Sequence, residues 1–334
     1  MRIRILGAGI AGLTAAFEFA QAGCEVALTE TRKGPGLGCS YFAGGMLAPW
    51  CEAEHAGPLI IALGRESLTF WSQNIPAAVR NGTLAVAAAR DRPELSLFAR
   101  RTTGFEHLDA ASVAALEPDL SGRFEEGLYF PGEAHLDPRA AMAMLAARLA
   151  EFENVSLRFG GEDVHSPADW TVDCRGLAAR DVMPDLRGVR GEMLVLATKE
   201  IALKRPVCLL HPRCPVYIVP RGNGHFMAGA TMIESEDSGP VTARAMLELL
   251  GAAYCLHPAF AEAKIVETGA GVRPALPDNL PKIRRAGRTL YINGFYRHGF
   301  LLAPALARRA AQIVFEDAYF PEVMDAHPCE RQDA

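Results

Sequence analysis

No stretch of this chain reaches the roughly 18 uncharged apolar residues that a membrane-spanning helix needs, although half of its 334 residues are apolar. No C-x-x-C pair occurs among its eight cysteines, Cys24, Cys39, Cys51, Cys174, Cys208, Cys214, Cys255 and Cys329. Scattered through apolar contexts, they read as reduced, mostly buried thiols rather than a redox pair or a disulfide framework. Basic blocks are missing and the net charge is −5, which argues against nucleic acid as a partner. Internal repeats and low-complexity linkers are missing too. What remains is a globular chain long enough for two domains. The apolar start could pass for a secretory signal, but Glu18 inside the run and the lack of a small-residue cleavage site oppose that reading. The cytoplasm is then the default location.

The first thirty residues carry the strongest pattern. Arg2-Ile-Arg-Ile-Leu6 reads as a short strand, Gly7-Ala8-Gly9-Ile10-Ala11-Gly12 as a glycine turn opening a helix, and Glu25 to Glu30 as a second strand ending in an acid. That order builds a dinucleotide site. Gly7 permits the turn, Gly9 lets backbone approach a pyrophosphate, and Gly12 lets helix and strand pack closely. Ile10 and Ala11 open a helix whose free N–H groups and positive dipole suit phosphates. Glu30, 18 residues after Gly12, can accept hydrogen bonds from a ribose.

Glycine-rich sequence follows from Gly34 to Pro49, including Ser40, Gly44, Gly45 and Met46, and suits close approach of backbone to a ligand. Helices are expected over 58–74, around 109–116, over 138–151 with Pro138 in the first turn, over 242–255 and over 299–316. Strands are expected at 155–159, 170–174, 264–268 and 290–293. Four apolar runs between 192 and 230 read as an antiparallel sheet. The expected fold class is α/β. A discontinuous Rossmann-like nucleotide domain takes 1–80, 137–188 and 265–334, and an α+β domain with an antiparallel sheet takes 81–136 and 189–264. Cys208, His211, Cys214 and His225 admit a metal site, but a strand end and a proline-rich turn explain the same residues, and the spacing matches no zinc pattern. No metal is expected.

The stretch from Tyr291 to Pro304 is the second strong feature. A strand runs into a loop with Gly294, Arg297, His298 and Gly299, and a helix beginning Gly299-Phe300-Leu301 follows directly. This second helix N-terminus suits a developing negative charge. There is only one dinucleotide fingerprint, so a flavin held here would take its electrons from the substrate itself.

Five segments together resemble the glycine oxidases of the D-amino-acid oxidase group of FAD enzymes. They are the start through Glu30; Ser40 to Pro49; Tyr217 to Arg221 with Gly229 to Met232; Gly269 to Asp278; and Gly294 to Pro304. The resemblance implies non-covalent FAD and oxidation of a small amino acid to an imine, with dioxygen reduced to hydrogen peroxide. It gives Arg273 the grip on the substrate carboxylate, Tyr217 a hydroxyl in the substrate cavity, Met232 a wall of that cavity, and Arg297 a place beside flavin and substrate. Ser40, Gly44, Gly45 and Met46 fall in the loop over the flavin, and Val164 matches a backbone contact to the adenine. Gly294, His298, Gly299, Phe300 and Leu301 border the flavin. It also favours a homotetramer and a supply of imine to the thiazole of thiamin.

Each role has a structural alternative: an ion pair for Arg273, core packing for Tyr217, a loop or surface position for His298. Departures from the family pattern stand at Phe295, at His298, at Lys282-Ile-Arg284-Arg285 and in Arg175-Gly-Leu-Ala-Ala-Arg180. They leave substrate preference open among glycine, sarcosine and small D-amino acids. A quinone-linked dehydrogenase and a flavin-binding assembly partner without turnover stay as rival readings.

Overall fold

The computed structural model describes residues 1–161 and 167–325, without the side chains of 53–56. The chain forms two compact units: 1–41, 141–188 and 273–334 make the first, 42–140 and 189–272 the second.

The first unit is built on a six-stranded sheet in the order Lys282–Ala286, Thr289–Asn293, Trp170–Asp173, Arg2–Leu6, Glu25–Glu30, Val155–Phe159. All its neighbours are parallel except the first pair, which forms a hairpin. Helix Ile10–Gln21 is apolar nearly all round, and most of its residues are buried. It packs against helix Gly299–Glu316, whose buried residues run from Phe300 to Ile313. A helix without a polar face has to be enclosed on several sides. Phe17 meets Phe152, and Phe19 meets Phe315, edge to face.

In the second unit nine strands form one sheet, among the described residues. Alternation along its strands sorts side chains onto two faces. Leu84, Val86, Val207, Leu209, Val216, Ile218, Phe226 and Ala228 pack with Leu249, Ala253 and Leu256 of helix Ala243–Leu256. Ala85, Ala87, Cys208 and Tyr217 face the other way, with Ala48, Cys51, Phe98 and Phe130. This second core explains why 42–80, expected with the nucleotide domain, falls in the second unit. Residues 48–51 bury themselves against its sheet.

Other boundaries differ for local reasons. The helix expected from 58 runs to Asn74 as read, and a helical stretch from Pro49 that was not expected precedes it across a break at Gly57, φ 73°. Pro58 opens the later stretch and Pro49 the earlier one, each at a first turn. Helix Arg92–Arg101, opened by Pro93, was not expected. The strand at 264 continues to Ala275. The sheet expected to be antiparallel holds one parallel pairing, Val207–Leu210 with Thr83–Ala87. No helix among the described residues is long and apolar enough to cross a membrane.

Glu133 holds the helix start in the second unit. It is fully buried, and its Oε1 accepts the N–H groups of Trp50 at 2.9 Å and Cys51 at 2.7 Å. Burial outweighs these bonds and pushes the carboxyl up to about 8. A carboxyl that prefers its proton in the fold makes stability fall as pH rises from its unfolded value near 4.5 to about 8. His135, pushed down to about 4 by burial and by Arg221 and Arg205, loses stability in the other direction, as pH falls below 6.5. Urea midpoints at pH 5, 6.5 and 8 are therefore expected to decline above pH 6.5 in the wild type. In Glu133→Gln they should stay level there, because the amide keeps the acceptor and removes the titration.

Candidate functional site

In the first unit the predicted glycines stand where backbone meets backbone. Gly7 has φ 93°, and a Cβ there would lie 2.7 Å from the carbonyl oxygen of Cys174. A Cβ on Gly12 would lie 1.8 Å from the carbonyl oxygen of Gly7. Gly9 caps the helix with no side-chain hydrogen bond. The Ile10 N–H donates to Ser40 Oγ at 3.3 Å, which brings Ser40 to this turn. Ala11 stands in the first helical turn.

Glu30, 9% exposed, already accepts hydrogen bonds within the fold. Its Oε2 accepts the N–H of Ala8 at 2.9 Å and its Oε1 that of Arg32 at 2.9 Å. The acid therefore ties the glycine turn to the end of the second strand. A carboxylate has lone pairs left on both oxygens after such bonds.

The second helix start lies beside the first. A Cβ on Gly299 would lie 3.3 Å from Ile10 Cγ2. His298 caps helix Gly299–Glu316 without a side-chain bond, and its carbonyl accepts the Leu302 N–H. His298 is buried at 2% exposure in the loop directly before the helix, so the loop reading holds and the surface one does not, and Tyr296 packs edge-on against it. Phe300 and Leu301 are buried in the first helical turn. Gly294 donates its N–H to Asn293 Oδ1, while Asn293 Nδ2 donates to the Gly176 carbonyl.

Arg273 is half-buried near the end of strand Lys264–Ala275. Its neighbours fix its backbone. Pro274 O accepts the Tyr296 N–H at 2.8 Å, and Ala275 bridges Phe295. Arg273 thereby sits near the loop that carries half-buried Arg297. The Cys39 thiol, pushed up by burial, feels Arg273 and Arg32 pulling it down, which sets Arg273 near the Ser40 segment.

In the second unit Tyr217 stands between two glycines. A Cβ on Gly44 would lie 2.6 Å from its ring, and one on Gly229 would lie 3.1 Å from it. Gly45 O accepts the Leu136 N–H, and Met46 pairs with His135. Met232, at 45% exposure, lies just before the strand Ile233–Glu234. Arg221 was missed as a site residue. Its guanidinium donates to the carbonyls of Leu136 at 2.8 Å, Gly44 at 2.9 Å and Ala43 at 3.3 Å, and so shapes the loop around Gly44. No sequence signal announces this, because the acceptors lie 85 to 178 residues away. Val164 lies outside the described residues.

The residues weighed for a metal have other hydrogen-bond partners. Cys208 Sγ faces Cys51 Sγ at 3.8 Å, His211 Nδ1 accepts the N–H groups of Arg213 and Cys214, and His225 Nδ1 lies 3.2 Å from Asn223 O. Among the described residues no group of three or more His, Cys, Asp or Glu could hold a metal ion.

Two adjoining helix starts without side-chain caps, and a glycine turn with no room for a Cβ, fit a dinucleotide with an attached ring system. The sequence pattern of the FAD dependent oxidoreductases (DAO) matches residues 2–313. The chain belongs to this family. It is 55% identical to the putative thiamine biosynthesis oxidoreductase ThiO of Rhizobium etli, over 96% of this chain and 99% of that one. Glycine oxidase of Pseudomonas aeruginosa is 28% identical, over 94% of each. The fold matches glycine oxidase from Geobacillus kaustophilus with a TM-score of 0.81 at 22% identity, covering 98% of this chain and 99% of that one. The chain is thus an FAD-dependent oxidoreductase.

The backbone contact at the glycine turn makes one chemical change act with opposite signs. Gly12→Ala must move backbone and is expected to cost about 2 kcal/mol or more and to yield protein without bound flavin. Gly251→Ala, in a helix interior with nothing within 4 Å of the new Cβ, is expected to add about 0.5–1 kcal/mol. Denaturant titration and the flavin absorbance of the purified proteins check both.

Proposed function

We propose that the chain oxidises glycine, or a similarly small amino acid, to the imine, and that the electrons pass on to dioxygen as hydrogen peroxide. The observation that carries this is Arg273, half-buried and held by its neighbours' backbone bonds beside the Arg297 loop. An arginine on a backbone so held carries the planar fork that matches a carboxylate with two parallel hydrogen bonds, which a lysine cannot copy. The similarity to ThiO and to glycine oxidases supports the same reading.

Bound FAD, which the glycine turn and the Gly294–Leu301 segment would hold, would supply the two-electron acceptor that dioxygen can reoxidise. The protein's part is mostly placement. Arg273 holds the carboxylate and Arg297 adds positive charge nearby. Tyr217 is assigned a hydroxyl contact with the substrate and Met232 a place on the cavity wall. The substrate reacts as the neutral amine, so that its nitrogen lone pair can form the C=N bond as the Cα–H leaves. Fixed orientation of this kind lowers barriers by several kcal/mol without an acid–base residue at the reacting carbon. The positive end of helix Gly299–Glu316 favours negative charge placed before it.

Water then splits the imine. One amino acid, one dioxygen and one water give glyoxylate (from glycine), ammonia and hydrogen peroxide. Used before hydrolysis, the imine would serve thiazole formation in thiamin biosynthesis. The reading includes FAD held without a covalent bond by the glycine turn, the 40–46 loop and the Gly294–Leu301 segment. It also takes 1–41 and its partners in the first unit as the FAD-binding domain and the second unit as the substrate domain, in a cytoplasmic homo-oligomer.

Arg273→Ala is expected to lower kcat/KM for glycine by about 100-fold or more while the purified protein keeps its flavin absorbance. Steady-state peroxide assays against a spectrum of the bound cofactor separate the two. Turnover at the wild-type level would remove Arg273 from the site.

A further inference from the structure

The loops after Arg2–Leu6 and Trp170–Asp173 border the crevice where strand order reverses. From Arg2–Leu6 the sheet continues to Glu25–Glu30 and Val155–Phe159 on one side, and to Trp170–Asp173 and Thr289–Asn293 on the other. Ligands of open parallel sheets bind outside the carboxyl ends of the strands at such a reversal. Leu6 and Asp173 pair across it, so Gly7 and Cys174-Arg175 leave the sheet side by side. A Cβ on Gly7 would lie 3.2 Å from the Cα of Arg175.

Asp173 complicates this place. It is 2% exposed at the end of its strand, and a bare carboxylate there would repel an incoming pyrophosphate. Arg175 compensates it closely. Its backbone N–H donates to Oδ1 at 3.0 Å, its Nε to Oδ2 at 2.9 Å and its Nη2 to Oδ2 at 2.7 Å. Nη2 also reaches the exposed Asp181 at 3.1 Å. These bonds use Nε and Nη2 and fix the guanidinium plane, which leaves Nη1 outside both carboxylates. The arginine side chain is 32% exposed.

We propose that Arg175 is a pyrophosphate-binding residue of the FAD site: it cancels the charge of Asp173 and offers its Nη1 hydrogens to the phosphates. This gives a role to a segment that departs from the family pattern. It rests on FAD binding by the chain, not on the choice of substrate.

The test uses apoprotein freed of flavin and titrated with FAD, with ADP and adenosine as competing probes. Arg175→Gln is expected to raise the Kd for FAD and the inhibition constant of ADP by about tenfold or more, with adenosine unchanged. FAD binding by the variant should also weaken less with added salt than that of the wild type. Arg175→Gln strands a buried carboxylate and could fail to fold, so Asp173→Asn/Arg175→Gln removes both charges. The double variant is expected to fold with FAD and ADP still weakened. Arg175→Lys is expected to fall between wild type and Arg175→Gln. FAD and ADP binding at wild-type strength in the double variant, or an equal loss for ADP and adenosine, would overturn the proposal.

Discussion

The first unit depends on one close approach of backbone. The carbonyl of Gly7 sits where a side chain on residue 12 would begin, and the carbonyl of Cys174 sits where one on residue 7 would begin. With both Cβ atoms missing, helix Ile10–Gln21 settles onto the sheet and the loops after two neighbouring strands lie against each other. The rest follows from that contact. The helix start reaches the Ser40 hydroxyl, Glu30 ties the turn to the second strand, and the start of helix Gly299–Glu316 comes alongside Ile10. Two positive helix ends then converge on one place, an arrangement that needs an anionic occupant to be favourable.

The second unit solves a different problem, which is to hold an aromatic hydroxyl still. Tyr217 lies on the sheet face away from helix Ala243–Leu256, and side chains at 44 or 229 would crowd its ring. Arg221, four residues along the same strand, holds the Gly44 carbonyl. The same strand therefore supplies both the ring and the clamp on the loop beside it. A rigid element of this kind suits a residue whose task is orientation.

Patterns that act within about thirty residues were legible in the sequence. The glycine turn, the acid at residue 30 and the strand–loop–helix from Tyr291 form local units, and each stands where its spacing puts it. Long-range partners were not legible. Nothing near Glu133 in the chain says that it receives N–H groups from Trp50 and Cys51, more than eighty residues away. Nothing near Arg221 points to Gly44. The stretch from Pro49 was missed for a related reason: its start is held by the distant carboxyl of Glu133. His298 is a loop residue as read, but its burial was not legible, because a loop has no periodicity to read. The family resemblance carried the assignment of roles where local pattern stopped.

The proposed chemistry is oxidation of a small amino acid at the flavin, with the electrons passed to dioxygen. The most direct measurement is the visible spectrum of the purified protein mixed with glycine under anaerobic conditions and then opened to air. The oxidised-flavin band is expected to bleach with glycine and to return in air with formation of hydrogen peroxide. A band that neither glycine nor any other small amino acid alters would contradict it.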